Sequence, residues 1–199
     1  MRLFWEQGYE GTSVGDLTDA MGINRPSLYA AFGCKEALFV EAVALYDAVE
    51  GAAATRALEA APTAREAVTA VLRTNVTAYA NRATPRGCMI VLAAAVGAPE
   101  NSAVRAHLAS LRRRDMQAIE ERIARGVRDG DVPAGADPAT AAAFYVAVLH
   151  GLSIQARDRV PDATLRAVAE RAITGWEVLM GTTGSIPRGS PPGSSPRQP

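Results

Sequence analysis

The sequence predicts an all-α chain, and three observations carry that prediction. Alanine is abundant, and alanine has the highest helix propensity. Runs of β-branched and aromatic residues alternating with period two are missing. Glycines, prolines and capping residues instead punctuate stretches whose apolar residues recur three and four apart. With 199 residues the chain fits one large domain or two small ones and can bury a core without disulfides or a metal. Its 21 basic and 21 acidic residues give no overall basic signature of a nucleic-acid binder. Lys35 is the sole lysine, an arginine and alanine bias typical of a GC-rich genome. Cys34 and Cys88 are too few for a disulfide scaffold and lack metal-ligand spacing. No apolar run approaches the roughly 18 residues of a membrane span, and the opening MRLFWEQGYE has no secretory apolar core. The expectation is a soluble, cytoplasmic protein with no cofactor.

Residues 1–10 read as a helix remnant in which Gly8 supplies a stop. Ser13 and Asp16 form a capping-box-like start for a helix carrying Val14 and Leu17 and ending at Gly22. Asn24 can cap a second short helix, with Pro26 tolerated in its first turn and Gly33 as its end. Residues 13–32 thus have the layout of a helix-turn-helix. One helix is predicted over 35–58, broken by Pro62, and another over 64–82, broken by Pro85. The apolar stretch Cys88–Val96 predicts a buried helix. A long charged helix follows over 102–129, with Arg112–Arg114 read as a solvated face. Further helices are predicted over 138–156 and 162–180. Residues 181–199 are Gly/Ser/Pro-rich and are expected to be disordered.

The run GTSVGDLTDAMGINRPSLYAAFGCKEALF, beginning at Gly11, resembles the DNA-binding domain of the tetracycline-repressor (TetR) family of bacterial regulators. The match lies in Thr-Ser, Met-Gly-Ile, Ser-Leu-Tyr-x-x-Phe and Lys-Glu-x-Leu at fixed spacings. GLSIQARD at 151–158 resembles one branch of the family's C-terminal domain. The resemblance implies a DNA-binding domain over 1–47, a helical ligand-binding and dimerisation domain over 48–180, and a tail. In a helix-turn-helix the second helix enters the major groove and presents its N-terminal side chains to base edges. Here these are Asn24, Arg25, Pro26 and Ser27; Arg25 can bond guanine in bidentate fashion. By analogy Tyr29 and Lys35 hold phosphates, as do Thr12 or Ser13. Leu17, Ala20, Ile23, Leu28 and Phe32 read as the core of this subdomain.

Two features depart from the family pattern. Residues 1–50 hold three basic residues against eight acidic ones, a net of −5, where phosphate neutralisation normally drives affinity. The family's basic arm and the first half of its first helix are missing before Met1, so either a start codon placed too late, the favoured reading, or a degraded copy is expected. Cys34 stands where the family has Ser or Asn as a helix cap. Two readings follow, a redox-sensitive thiol beside Lys35 or a substitution without a chemical role.

For the C-terminal region the resemblance implies a homodimer sealed by the last two helices. Phe144, Val148, Gly151 and Leu152 fit one side of such a seam, and Leu165, Val168, Ile173, Trp176 and Leu179 fit the other. Tyr46, Tyr79, Met89, Leu92, Met116 and His150 lie on helices that enclose the family's ligand cavity, each also readable as ordinary core. His107 reads as a solvated surface histidine. No nucleophile elbow, phosphate loop or metal motif is present, so no enzyme is expected. The function implied is a repressor released from a palindromic DNA operator by a small molecule. The alternative is a helical ligand- or partner-binding dimer without DNA binding, its support being the acidic N-terminal segment.

Overall fold

The computed structural model describes residues 1–95 and 97–181, and among them every regular element is helical. Val96 and residues 182–199, nearly all of the expected tail, lie outside the described residues. The first helix, α1 (Arg2–Gly11), passes through Gly8 instead of ending there. Gly8 takes φ 75° and kinks it. The cause is a close backbone approach. The Tyr9 N–H donates to the Ala93 carbonyl at 2.7 Å, and a Cβ on Gly8 would stand 3.0 Å from that same oxygen.

Helix α2 (Val14–Met21) starts on the capping box that Ser13 and Asp16 predict, with bonds of 3.1 and 2.7 Å. Gly22 closes it in the left-handed conformation. The Asn24 side chain accepts from the Ser27 N–H at 2.9 Å and opens α3 (Arg25–Phe32). Helix α4 (Lys35–Tyr46) leads from this head towards the rest of the chain. The single helix predicted to residue 58 is interrupted by a π-helical turn at Asp47–Gly51 before α5 (Ala52–Ala60) resumes. Apolar periodicity runs through such a one-residue widening, so the pattern could not reveal it. Asp47 is held there by two bonds from Arg114 across the fold.

In the body, α6 (Ala64–Tyr79) opens on a Thr63–Glu66 capping box. The expected helix over Cys88–Val96 shrinks to α7 (Met89–Leu92), since the Ala93 carbonyl bonds Tyr9 rather than a following helical turn. Helix α8 (Ser102–Asp129) ends on left-handed Gly130, and α9 (Pro138–Arg157) starts on an Asp137 cap. The last predicted helix is split at Gly175 into α10 (Asp162–Thr174) and α11 (Trp176–Leu179). Helix α9 has the length and hydropathy of a membrane span. Ala141, Ala142, Tyr145, Leu149, Leu152 and Ala156 bury one side of it among the other body helices, as in a core helix.

Two apolar clusters organise these elements. One joins α5, α6, α8, α9, α10 and α11 around Leu72, Ile123, Tyr145, Leu152 and Leu165. The other joins α1–α4 with α7 and the start of α8, around Phe4, Leu28, Phe39, Val43, Met89 and Leu108. The head's core therefore extends beyond residue 47 and takes in the junction segment 89–94 and the start of α8. Of the expected head core, Leu17 and Leu28 are buried and Phe32 packs at its margin, whereas Ala20 and Ile23 are exposed.

Candidate nucleic-acid interface and internal cavity

The exposed face of α2 and α3 gathers most of the residues expected to meet DNA. Ser13, Asn24, Arg25, Pro26, Ser27 and Tyr29 are all exposed. Ser13 and Arg25 converge: a Cβ on Gly15 would lie 3.4 Å from Ser13 Oγ and 3.9 Å from Arg25 Nη2. A guanidinium thus stands by the N-terminus of α2, where free backbone N–H groups favour an anion. Lys35 is half-buried, its Nζ 4.2 Å from the centre of the Tyr9 ring, and this burial lowers its ammonium below the ordinary lysine value. Thr12 does not belong to this face. It is fully buried and its hydroxyl donates to the Gly8 carbonyl at 2.7 Å, so it locks the α1 kink rather than holding a phosphate.

The acidity of residues 1–50 is distributed in a way the linear count conceals. Glu10 accepts from the Ala98 N–H and from Asn101, Asp47 pairs with Arg114, Glu50 lines an internal cavity and Glu6 a lateral cleft. Half of the eight carboxylates therefore face the body and not the α2–α3 surface.

Cys34 caps α4 through its sulfur, which accepts from the Ala37 N–H at 3.4 Å and stays exposed. Sulfur is a weak acceptor. Replacing it by a hydroxyl, Cys34→Ser, should stabilise the fold by about 0.5–1 kcal/mol, read as a higher urea midpoint with unchanged slope.

The body encloses a cavity of about 430 Å³ between α4–α6, α8 and α9. Its walls are apolar at Leu58, Val71, Ile119, Val146 and Leu149, with polar groups set into them. Tyr46, Tyr79 and His150 line it as expected, but Met89, Leu92 and Met116 do not. Met89 is fully buried in the head cluster, and Leu92 sits against Gly87. Met116 packs on the body core. Periodicity puts these residues on the inner side of their helices without saying which inner space they meet. Of Arg112–Arg114, expected as a solvated face, Arg113 and Arg114 are exposed as expected, whereas Arg112 is half-buried, and Arg112 and Arg114 also line the cavity. Arg112 donates to the Ile90 carbonyl at 2.8 Å, and Arg114 holds Asp47 and Asp115, each with a 2.8 Å contact. The hydrogen bonds from Arg114 to Asp47 raise its guanidinium further above the ordinary arginine value. Asp115 lines the cavity with its side chain still half exposed, and the partial loss of water there raises its carboxyl against the pull of Arg114. Burial raises the Tyr46 and Tyr79 hydroxyls and the Cys88 thiol, so all three are protonated at neutral pH.

His150 is lowered below 6.5, first by burial and then by Arg112. The unfolded chain thus binds a proton that the folded chain refuses. Stability from this group is present above the unfolded value and falls as pH drops through 6.5. Replacement by a neutral residue, His150→Gln, should flatten the loss of stability between about pH 7 and pH 5, measured by urea unfolding at each pH.

The residues expected at a dimer seam divide. Leu152, Leu165 and Trp176 are buried within the chain's own core. Phe144 and Val168 are exposed; Val148, Ile173 and Leu179 are half-buried at the core's edge. A Cβ on Gly151 would meet nothing. Ile154, 49% exposed, and Val178, 63% exposed, are further exposed apolar residues of α9 and α11 and were missed.

Comparison with known proteins gives this geometry its context. Residues 1–42 match the family model "Bacterial regulatory proteins, tetR family", and residues 62–173 match "Tetracyclin repressor-like, C-terminal domain". The TetR-family transcriptional regulator CifR, solved as a cysteine mutant with a 26-bp double-strand operator DNA, is 48% identical. That likeness covers 88% of this chain and 92% of CifR, with a TM-score of 0.86. A putative TetR regulator from Rhodococcus sp. RHA1 is 39% identical over 90% of this chain and 94% of its own, with a TM-score of 0.60. The HTH-type transcriptional repressor ComR of Escherichia coli K12 is 25% identical over 90% of this chain and 86% of its own. The chain belongs to the tetR family of bacterial regulatory proteins, which are DNA-binding transcriptional regulators of the helix-turn-helix type and not enzymes.

Proposed function

We infer that the protein is a repressor that binds a palindromic operator as a homodimer and is released from it by a small molecule in the body cavity. The observation that carries this reading is the α2–α3 face, where Asn24, Arg25, Ser27 and Tyr29 stand exposed at the start of a capped helix. CifR's capture on operator DNA supports it by likeness. The same reading places the protein in the cytoplasm, with its DNA.

Dimerisation supplies two heads for two half-sites. Phe144, Val148, Gly151 and Ile154, spaced three and four apart, make a stripe along α9, and Val168 and Val178 are exposed apolar residues of α10 and α11. Gly151 allows a partner helix to approach closely. A charge at the centre of this stripe, Ile154→Asp, should turn the dimer into a monomer in sedimentation equilibrium without loss of helical signal.

The cavity suits a compact, mostly apolar effector with one or two hydrogen-bonding groups. Asp47, Glu50 and Gly51, all in the π turn that connects α4 to α5, form one of its walls. A ligand that favours a different arrangement of the Arg114–Asp47 pair shifts α4, and with it the spacing of the two heads. Selection of binding sites from a random duplex pool tests the function. The expected product is an inverted repeat; a pool with no enriched sequence contradicts the reading.

A further inference from the structure

A second, separate site lies on the flank of the molecule, where α1 meets the 82–86 loop and the turn between α9 and α10. This open cleft of about 750 Å³ is lined by four arginines, Arg82, Arg86, Arg157 and Arg159, against Glu6 and Asp162, a net charge of +2. Among the described residues only one of the arginines has a carboxylate partner: Arg86 bonds Asp162 at 3.0 Å. Arg82 and Arg159 are exposed and take part in no ion pair among the described residues. Arg157 directs two nitrogens at α1, donating to the Glu6 carbonyl at 2.8 Å and to the Trp5 carbonyl at 2.6 Å. Its Nε is buried without a hydrogen-bond partner, and so is Oγ1 of Thr84 on the facing loop.

The backbone adds an independent observation. Arg159 has φ 61°, the one positive φ at a non-glycine residue among those described. It follows α9 in a turn where the Val160 N–H reaches back to the Gln155 carbonyl at 3.0 Å, a position that favours glycine. An arginine there strains the backbone and places a fourth guanidinium over the cleft.

We propose that this cleft binds a doubly charged oxyanion, a phosphate ester or a small polycarboxylate. The anion neutralises the excess charge of +2 and takes bonds from the exposed guanidinium groups of Arg82 and Arg159. Because Arg157 also holds α1, the occupied cleft braces the head against the body at a point apart from the internal cavity.

Isothermal titration of the full chain in a chloride buffer of fixed ionic strength tests the proposal, with inorganic phosphate and succinate as probes. DNA is not needed, so the result is separable from the repressor reading. Saturable binding of either probe is expected, and which one binds tells phosphate esters from carboxylates. Arg82→Ala and Arg159→Gly should each weaken that binding about tenfold or more. Arg159→Gly should at the same time raise the melting temperature of the anion-free chain by about 3 °C, since it relieves the left-handed strain. No saturable binding of either probe overturns the proposal. So does binding by both variants as tight as by the parent chain.

Discussion

Replacing Gly87 by alanine should destabilise the protein by about 3–5 kcal/mol, which for a chain of this size is a large share of its total stability. Gly87 has φ 79°, and its ideal Cβ would stand 2.5 Å from the Ser153 carbonyl oxygen and 2.7 Å from Leu92 Cδ1. The first of these is backbone inside α9, near its C-terminal end, and cannot move aside as a side chain can. Around this residue three parts of the fold are joined. Its carbonyl accepts from Trp5 Nε1 of α1 at 2.9 Å, and its N–H reaches the Tyr79 carbonyl at the end of α6. The next residue, Cys88, donates its N–H to Ser153 Oγ at 2.8 Å. A side chain at 87 therefore separates the head from the body. The expected readings are a lower urea midpoint and increased solvent exposure of Trp5. A variant as stable as the parent would show that the close packing at this junction is relieved at little cost.

The second large effect concerns recognition. Truncation of Arg25, Arg25→Ala, should weaken binding to the selected operator by about 1–3 kcal/mol per half-site and relax the preference at one base position in each. Arg25 begins α3 and is exposed, with its Nη2 close to the start of α2. It is the single guanidinium in α2 and α3. A uniform loss of affinity over all sequences would mean that it holds a phosphate and does not read a base. Competition titrations against operators altered one position at a time distinguish the two.

Much of this was legible in the sequence because local chemistry decides it. The Ser13–Asp16 box, the Asn24 cap and the stops at Gly22 and Gly33 lie within a few residues of what they control, and the structure places each as read. Longer-range features were not legible. Gly8 reads as a helix stop, but its conformation is set by residue 93, far along the chain. Thr12 looks like a surface hydroxyl until its bond to Gly8 closes it in. Arg112 looks like part of a charged helix face, yet it bonds the Ile90 carbonyl, and Arg114, exposed as it is, reaches across to Asp47. The same is true of the seam. Leu152 and Trp176 share a helical period with exposed neighbours, and which side faces inward depends on how the body helices pack. The anionic look of the first fifty residues was the most misleading signal, because charge counts carry no direction. Glu6, Glu10, Asp47 and Glu50 point away from the α2–α3 face.

The central claim is that the α2–α3 face reads an operator. Its most direct test is a fluorescence-anisotropy titration of the chain on the selected duplex and on a scrambled duplex of equal length, over a salt series. Affinity for the selected duplex is expected to be about a thousandfold higher, with log K falling linearly with log salt for both. Equal affinity for the two duplexes, or no salt-sensitive binding to either, would contradict it.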